Sequence, residues 1–298
     1  MNKRQVSSIR ALSSVAGDVF APTDTFAKRH IGPTVKDRDF MLEKIGFKSL
    51  DELVTSTLPK VIRMPEPPTM DPAMSESEAL AHLKGIMSKN KVLKSFIGMG
   101  YYETLTPHVI TRNVLENPGW YTAYTPYQPE IAQGRLEGLL NFQTMVADLT
   151  SMQMCNASLL DEATASAEAM NMCYALKNYK RTKFFVDQNC HPQNIALMKT
   201  RGGAIGLTVE VGDILSANFA SNEYCGAVVQ YPDTFGGVHD WAQLVSAAKS
   251  HDTMMVACTD LMASVVIKPA GEVGFDIAVG SAQRFGVPMV SYLFSPKF

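Results

Sequence analysis

Residues 184–191 read Phe-Phe-Val-Asp-Gln-Asn-Cys-His. Three consecutive β-favouring apolar residues followed at once by a polar turn describe a strand buried on both faces that ends in an open loop. The same grammar recurs twice downstream. Val228-Val229-Gln230-Tyr231 gives way to Pro232 and Asp233, and Val256-Ala257-Cys258 gives way to Thr259 and Asp260. Further β-rich runs at 205–211 and 265–267 bring the expected strands to 184–186, 205–211, 227–231, 254–258 and 265–267, with helices expected near 192–200 and 238–250. Strand and helix in alternation predict an α/β fold with a mostly parallel sheet covered on both sides. No repeat with a period of 20 to 50 residues competes with that reading.

In an open α/β sheet, ligands bind beyond the carboxyl ends of the strands. His191, Asp233 and Asp260 stand at those ends and are expected to share a cleft. A second candidate lies at Asn156-Ala157-Ser158-Leu159-Leu160-Asp161-Glu162, which precedes a helix expected over 163–176. A hydroxyl and free amides at a helix start can hold an anion. The competing reading is that Ser158 caps the helix, with Asp161 completing a capping-box-like pattern. A third is the aromatic and turn-rich stretch 98–129, which includes Tyr101, Tyr102, Trp120, Tyr121 and Tyr127 and is expected to be an ordered functional loop or a packed surface crossing. Pro129 and Glu130 then open a helix whose apolar positions fit a largely buried element, with Gly134 and Gly138 permitting close backbone approach.

The N-terminal part differs. Two short helices are expected over 34–58, separated at Gly46. A proline-rich connector follows over 64–72, and then a helix capped by Ser75. Residues 1–27 begin with Lys3, Arg4 and Arg10 among serines and no acid before Asp18, a composition of targeting segments as well as of frayed basic termini.

Composition narrows the function. With 46% hydrophobic and 19% charged residues over 298 positions, disorder is not the main state. A net charge of −2 gives no electrostatic footprint for nucleic acid. The five cysteines form no C-x-x-C pair and read as reduced thiols, and the six histidines do not cluster at metal-ligand spacing. The stretch 254–267, interrupted by Asp260, is too short to span a membrane. Dinucleotide, P-loop, zinc-helix and nucleophile-elbow motifs are all missing.

Long runs nevertheless carry a resemblance: Lys28-Arg29-His30-Ile31-Gly32-Pro33, GMGYYETLTP from Gly98, RNVLENPGWYTAYTPYQPEIAQGRLEGLLNFQT from Arg112, NASLLDEATASAEAM from Asn156, CHPQ from Cys190, VQYPDTFGGVHDW from Val229 and DIAVGSAQRFGVPM from Asp276. Together they resemble the glycine-cleavage-system P-protein family, glycine dehydrogenase (decarboxylating), over nearly all of 28–289. The resemblance implies a fold-type I, aminotransferase-like large domain and a pyridoxal-phosphate enzyme that decarboxylates glycine and passes the aminomethyl group to the lipoyl arm of the H-protein. It also implies a domain order of 1–27 targeting segment, 28–97 helical arm, 98–289 partial α/β domain and 290–298 divergent tail.

The similarity is to the first part of the family's N-terminal half. The lysine that binds pyridoxal phosphate covalently lies in the C-terminal half, so no catalytic residue and no metal ligand is assigned here, and Lys268 is not promoted. By resemblance, Asn156, Ala157, Ser158, His191 and Asp260 are cofactor-binding positions, vestigial in a half without its own lysine. Tyr101, Tyr102, Tyr127, Gln128 and Glu130 are expected to face the substrate channel. Implied partners are a C-terminal half or second P-protein subunit, the H-protein and glycine, with neither nucleic acid nor membrane. The implied location is the mitochondrion, with the cytoplasm as alternative. The alternative function is a non-catalytic chain that only binds partner subunits. Ending at Phe298, the sequence reads as a truncated domain in which 254–267 keeps an open face, and Ser151 stands where the family has glycine.

Overall fold

The computed structural model describes residues 30, 32–64, 66, 68–122 and 125–287. The expected targeting segment 1–27 and tail 290–298 lie outside the described residues. The chain divides into two compact units at Leu93/Lys94.

The first unit carries three helices, α1 (Val35–Lys44), α2 (Leu50–Thr57) and α3 (Glu76–Met87). Local chemistry starts each one. Thr34 Oγ1 accepts from the Asp37 amide while the Asp37 carboxylate accepts from the Thr34 amide, and Ser75 and Glu78 repeat this reciprocal box at α3. Ser49 caps α2 through the Glu52 amide, and Gly46 at φ 84° breaks the chain between the first two helices. Among the described residues of this unit only Leu42 is buried.

In the second unit, the aromatic stretch contains a turn of helix, His108–Ile110, running into a π-helical turn, Thr111–Leu115, so it is not one continuous loop. Helix α4 (Pro129–Thr150) begins at its proline as expected, yet only Ala132, Val146 and Thr150 are buried. The expectation of a largely buried helix is therefore corrected. Ile131 and Leu140 stand exposed along its earlier turns, and apolar contact to the sheet domain comes through its C-terminal turns, where Val146, Phe142 and Leu149 meet Leu261 and Ala282. Nothing lies within 4 Å of a Cβ built at Gly134 or Gly138, so the close approach is not made among the described residues.

Helix α5 (Glu162–Leu176) leads into strand β1 (Lys183–Asp187), α6 (Pro192–Ala204), β2 (Thr208–Gly212), β3 (Tyr224–Tyr231), α7 (Ala242–Ser250), β4 (Met254–Asp260), α8 (Ala270–Val273) and β5 (Ile277–Ser281). The strands form one sheet in the order β2-β1-β3-β4-β5, every pair parallel. Successive side chains of a strand point to opposite faces. Phe184, Val186, Val228, Val256 and Cys258 accordingly join Met170, Cys173 and Met198 on the α5/α6 side. Phe185, Ala227, Val229, Met255 and Ala257 join Val245 and Ala248 of α7 on the other. All eight residues of β3 are buried.

Two strand expectations change. Residues 265–267 are not a strand, since a 3-10 turn (Ala263–Val265) stands there, and the fifth strand is Ile277–Ser281. Met255–Cys258 are fully buried, so this strand keeps no open face; the exposed apolar residues of that stretch are Met262, Val265 and Val266. All five cysteines are unpaired, and burial pushes the Cys225 and Cys258 thiols up to about 12.

Ser151 terminates α4 in the left-handed region at φ 54°. A side chain there costs roughly 1–2 kcal/mol relative to glycine, so the departure at this position concerns backbone conformation. Ser151→Gly is expected to raise the unfolding free energy by about 1 kcal/mol in chemical denaturation with an unchanged denaturant slope; a loss of stability would contradict the assignment.

Candidate functional site

Strand order reverses between β1 and β3: β2 lies to one side of β1 and the later strands to the other. Loops leaving β1 and β3 therefore part at their carboxyl ends and open a crevice. A cavity of about 460 Å³ lies there, with walls from Gly98–Gly100 and Tyr102, from Glu162 at the start of α5, and from the residues that follow β1, β3, β4 and β5.

The β1 loop is built first. Asp187 is buried and its carboxylate accepts from the Ile214 amide, while burial raises its pKa above the usual carboxylate range. The Gln188 amide donates to Gly212 O at 2.8 Å and the Cys190 amide to Asp187 O at 3.0 Å, which turns the chain so that His191 becomes the N-cap residue of α6. His191 is 4% exposed, with Nδ1 3.0 Å from Thr234 Oγ1 in the β3 loop. Its Nε2 faces Gly100, which leaves no side chain in the way and sits at φ 86°. Burial holds the His191 pKa below its ordinary value, opposed by the charge of Asp233.

Behind this histidine, fully buried Asn194 donates through Nδ2 to Glu162 Oε1 at 3.2 Å and to Gln230 Oε1 at 3.4 Å. From α6, Gln193 Nε2 donates to Met99 O at 2.9 Å and so ties down the segment that carries Gly100. In the β3 loop, Asp233 Oδ1 accepts from the amides of Phe235 (2.8 Å) and Gly237 (2.7 Å). At the end of β4, Asp260 Oδ2 lies 3.3 Å from Arg284 Nε, and the Arg284 guanidinium carbon stands 4.5 Å from the Tyr102 ring centroid. Among the described residues the walls thus hold three carboxylates, Glu162, Asp233 and Asp260, a histidine whose basicity burial suppresses, and one guanidinium, and no described lysine lines the cavity.

Among the expected site residues, His191, Asp260 and Tyr102 share this cavity, as does Asp233. Asn156 lines a different and larger cavity of about 890 Å³, between the end of α4, α5 and residues 275–279. Ser158 is exposed and caps nothing. The N-cap of α5 is Asp161, whose Oδ1 accepts from the Thr164 amide at 2.6 Å, because the helix starts at Glu162, four residues beyond Ser158. Ala157, between Asn156 and Ser158, is half-buried and lines neither cavity. Tyr101 is half-buried beside Tyr102, with its amide donating to Gly98 O. Tyr127, Gln128 and Glu130 form the start of α4, where Gln128 is the N-cap residue and Tyr127 is exposed; none of them lines the strand-end cavity. Glu162, Arg284, Gln193 and Asn194 were not singled out as site residues, although the quoted motifs at 156 and 276 already contain Glu162 and Arg284. Among the described residues, no group of three His, Cys, Asp or Glu could hold a metal, and no helix is long and apolar enough to cross a membrane.

A buried histidine with a lowered pKa links stability to pH. Between its folded pKa and the ordinary value near 6.5, the unfolded chain binds more protons than the folded one, so stability is complete above about pH 6.5 and falls as pH drops through that window. Wild type is therefore expected to lose melting temperature from pH 7.5 to 5.5 faster than His191→Asn does. Parallel pH profiles of the two proteins would contradict this.

The family model of the glycine cleavage system P-protein matches residues 28–292. The chain is 49% identical over 285 residues to "Glycine dehydrogenase (decarboxylating), mitochondrial" of Flaveria trinervia, covering 95% of this chain and 27% of that protein. It is 53% identical over 264 residues to "Glycine dehydrogenase (decarboxylating)" of Vibrio parahaemolyticus, covering 89% of this chain and 28% of that protein. It therefore spans about a quarter of the length of the curated relatives it matches. Among solved structures, glycine decarboxylase (P-protein) of the glycine cleavage system, in inhibitor-bound form, superposes with a TM-score of 0.78 at 32% identity, covering 87% of this chain and 60% of that one. A sphingosine-1-phosphate lyase of Burkholderia pseudomallei shares the fold, with a TM-score of 0.54 at 12% identity over 78% of this chain and 59% of its own. With the family model matched along most of its length, the chain belongs to the glycine cleavage system P-protein family.

Proposed function

We propose that this chain supplies a channel-forming portion of a glycine-decarboxylating P-protein that does not include the cofactor-binding lysine, and that it turns over glycine only together with the portion of the family that it does not match. The proposed reaction is decarboxylation of glycine with transfer of the aminomethyl group to the lipoyl arm of the H-protein, dependent on pyridoxal phosphate. Tyr101, Tyr102, Tyr127, Gln128 and Glu130 are the proposed channel residues. Phenol and amide groups there would orient a small zwitterion and a lipoyl arm through hydrogen bonds while their apolar bodies limit water.

Whether the residues of this chain suit the cofactor is decided by charge. A phosphate dianion needs free amides or basic groups. The α5 start instead presents the Asp161 cap and Glu162, and the strand-end cavity presents three carboxylates, with Arg284 already paired to Asp260. The cavity does not fit pyridoxal phosphate. Asn156, Ala157, Ser158, His191 and Asp260 are accordingly read as vestigial cofactor positions, and the proposal puts the cofactor on the unmatched portion of the family. The observation that carries the reading is a P-protein match over 28–292 joined to a strand-end cavity without a lysine. A mitochondrial address belongs to the same reading, supported by the basic, serine-rich 1–27 and by the plant relatives' names; bacterial relatives are as similar.

Carbon dioxide release from carboxyl-labelled glycine, in the presence of lipoylated H-protein and pyridoxal phosphate, tests this. The chain alone is expected to give none, and its mixture with a protein comprising the unmatched portion of the family is expected to give turnover that saturates with this chain. Turnover by the chain alone would overturn the proposal. An inert mixture, with the two proteins shown to associate, would favour the non-catalytic alternative.

A further inference from the structure

The segment 98–106, which begins GMGYYE, is fastened to the turn that follows β5. Gln283 Nε2 donates to Tyr102 O at 3.1 Å, Thr104 Oγ1 donates to Val287 O at 2.9 Å, and Thr106 Oγ1 donates to Gly286 O. A Cβ at Gly286, which sits at φ 115°, would come within 3.0 Å of Leu105 O, so the two stretches pack backbone to backbone. These bonds end on main-chain carbonyls and are blind to the side chain at 102. What selects a tyrosine there is the third layer: the ring of Tyr102 lies under the guanidinium of Arg284, and that guanidinium faces the carboxylate of Asp260 as an ion pair, Nε to Oδ2 3.3 Å, without a hydrogen bond from Nε.

We propose that Asp260, Arg284 and Tyr102 form a latch in which Asp260 anchors an internal guanidinium rather than a ligand, and Arg284 is the positioning residue that sets the channel segment against the strand ends. Guanidinium suits the task because its flat face stacks on an aromatic ring while its edge pairs with a carboxylate, and an ammonium offers no such face. Two consequences follow. A ring cation that sought Asp260 would first have to displace Arg284. Shortening Arg284 to alanine would leave a vacant seat, bounded by Tyr102 and Asp260, shaped for a free guanidinium ion. The bearing on catalysis rests on the reading of Tyr101 and Tyr102 as channel residues; the latch itself does not.

Hydrogen–deuterium exchange of the whole chain tests the latch without any turnover, so its outcome is independent of the complementation assay. Arg284→Ala is expected to speed amide exchange across 99–105 by about tenfold, with the strand amides of β1, β3 and β4 unchanged. Millimolar guanidinium chloride, far below denaturing levels, is expected to restore protection in Arg284→Ala, while sodium chloride at equal ionic strength does not. Arg284→Lys is expected to resemble the alanine variant, and Tyr102→Leu added to Arg284→Ala to have little further effect. If Arg284→Ala fails to fold, Asp260→Asn, which keeps the shape of the anchor and removes its charge, is expected to show the same local acceleration. Unchanged exchange at 99–105 in these variants, or acceleration spread over the sheet with no rescue by guanidinium, would overturn the proposal.

Discussion

The parallel pairing of β3 with β1 on one side and β4 on the other is the constraint from which the rest of the structure follows. Parallel neighbours cannot be joined by tight hairpins, so the chain must leave each strand at its carboxyl end, cross a face and return. Each crossing lays apolar cover on the sheet. Met198 of α6 closes one face, Val245 and Ala248 of α7 the other, and β3 ends fully buried between them. The same requirement sends every departing loop to one end of the sheet. His191, Asp233, Asp260 and Arg284, spread over nearly a hundred positions, therefore meet around one cavity.

What that cavity accepts is decided by charge more than by shape. At an effective dielectric near 20, like unit charges about 4 Å apart cost roughly 4 kcal/mol, and burial weakens the screening that would relieve them. Three carboxylates against one guanidinium make the strand ends unsuited to a phosphate. Arg284 answers part of that negative charge internally, and in doing so joins a strand end to an aromatic segment that lies some 180 positions away in sequence. The same contact that disqualifies Asp260 as a free acid gives Tyr102 its place.

Much of this was legible in the residues. Capping chemistry is local, so Ser75 with Glu78 and Pro129 at a first turn marked their helices correctly. Three apolar runs ending in polar turns marked β1, β3 and β4. The fifth strand was missed because Ile277–Ser281 mixes small residues with only two β-branched ones, while Val265-Val266-Ile267 carries strong strand propensity but lies in a short 3-10 connection. Ser158 reads as a cap because hydroxyls favour that place; Asp161 takes it, since the helix, expected from 163, begins at Glu162 and its cap is the residue just before. The burial of α4 could not be read from its periodicity, because a broad apolar face does not say which turns along the helix meet a partner. The Asp260–Arg284–Tyr102 contact was invisible for another reason: nothing local in three distant segments announces that they converge.

This chain belongs to the glycine cleavage system P-protein family, and on the proposal above its own strand ends do not seat pyridoxal phosphate. Titration of the full chain with pyridoxal phosphate, followed by borohydride reduction and mapping of the labelled peptides, tests it most directly. Non-saturating, substoichiometric label scattered over surface lysines, indifferent to substitution of Ser158, His191 or Asp260, is expected. A saturable, one-to-one label on a single lysine, lost on substitution of His191 or Asp260, would contradict it.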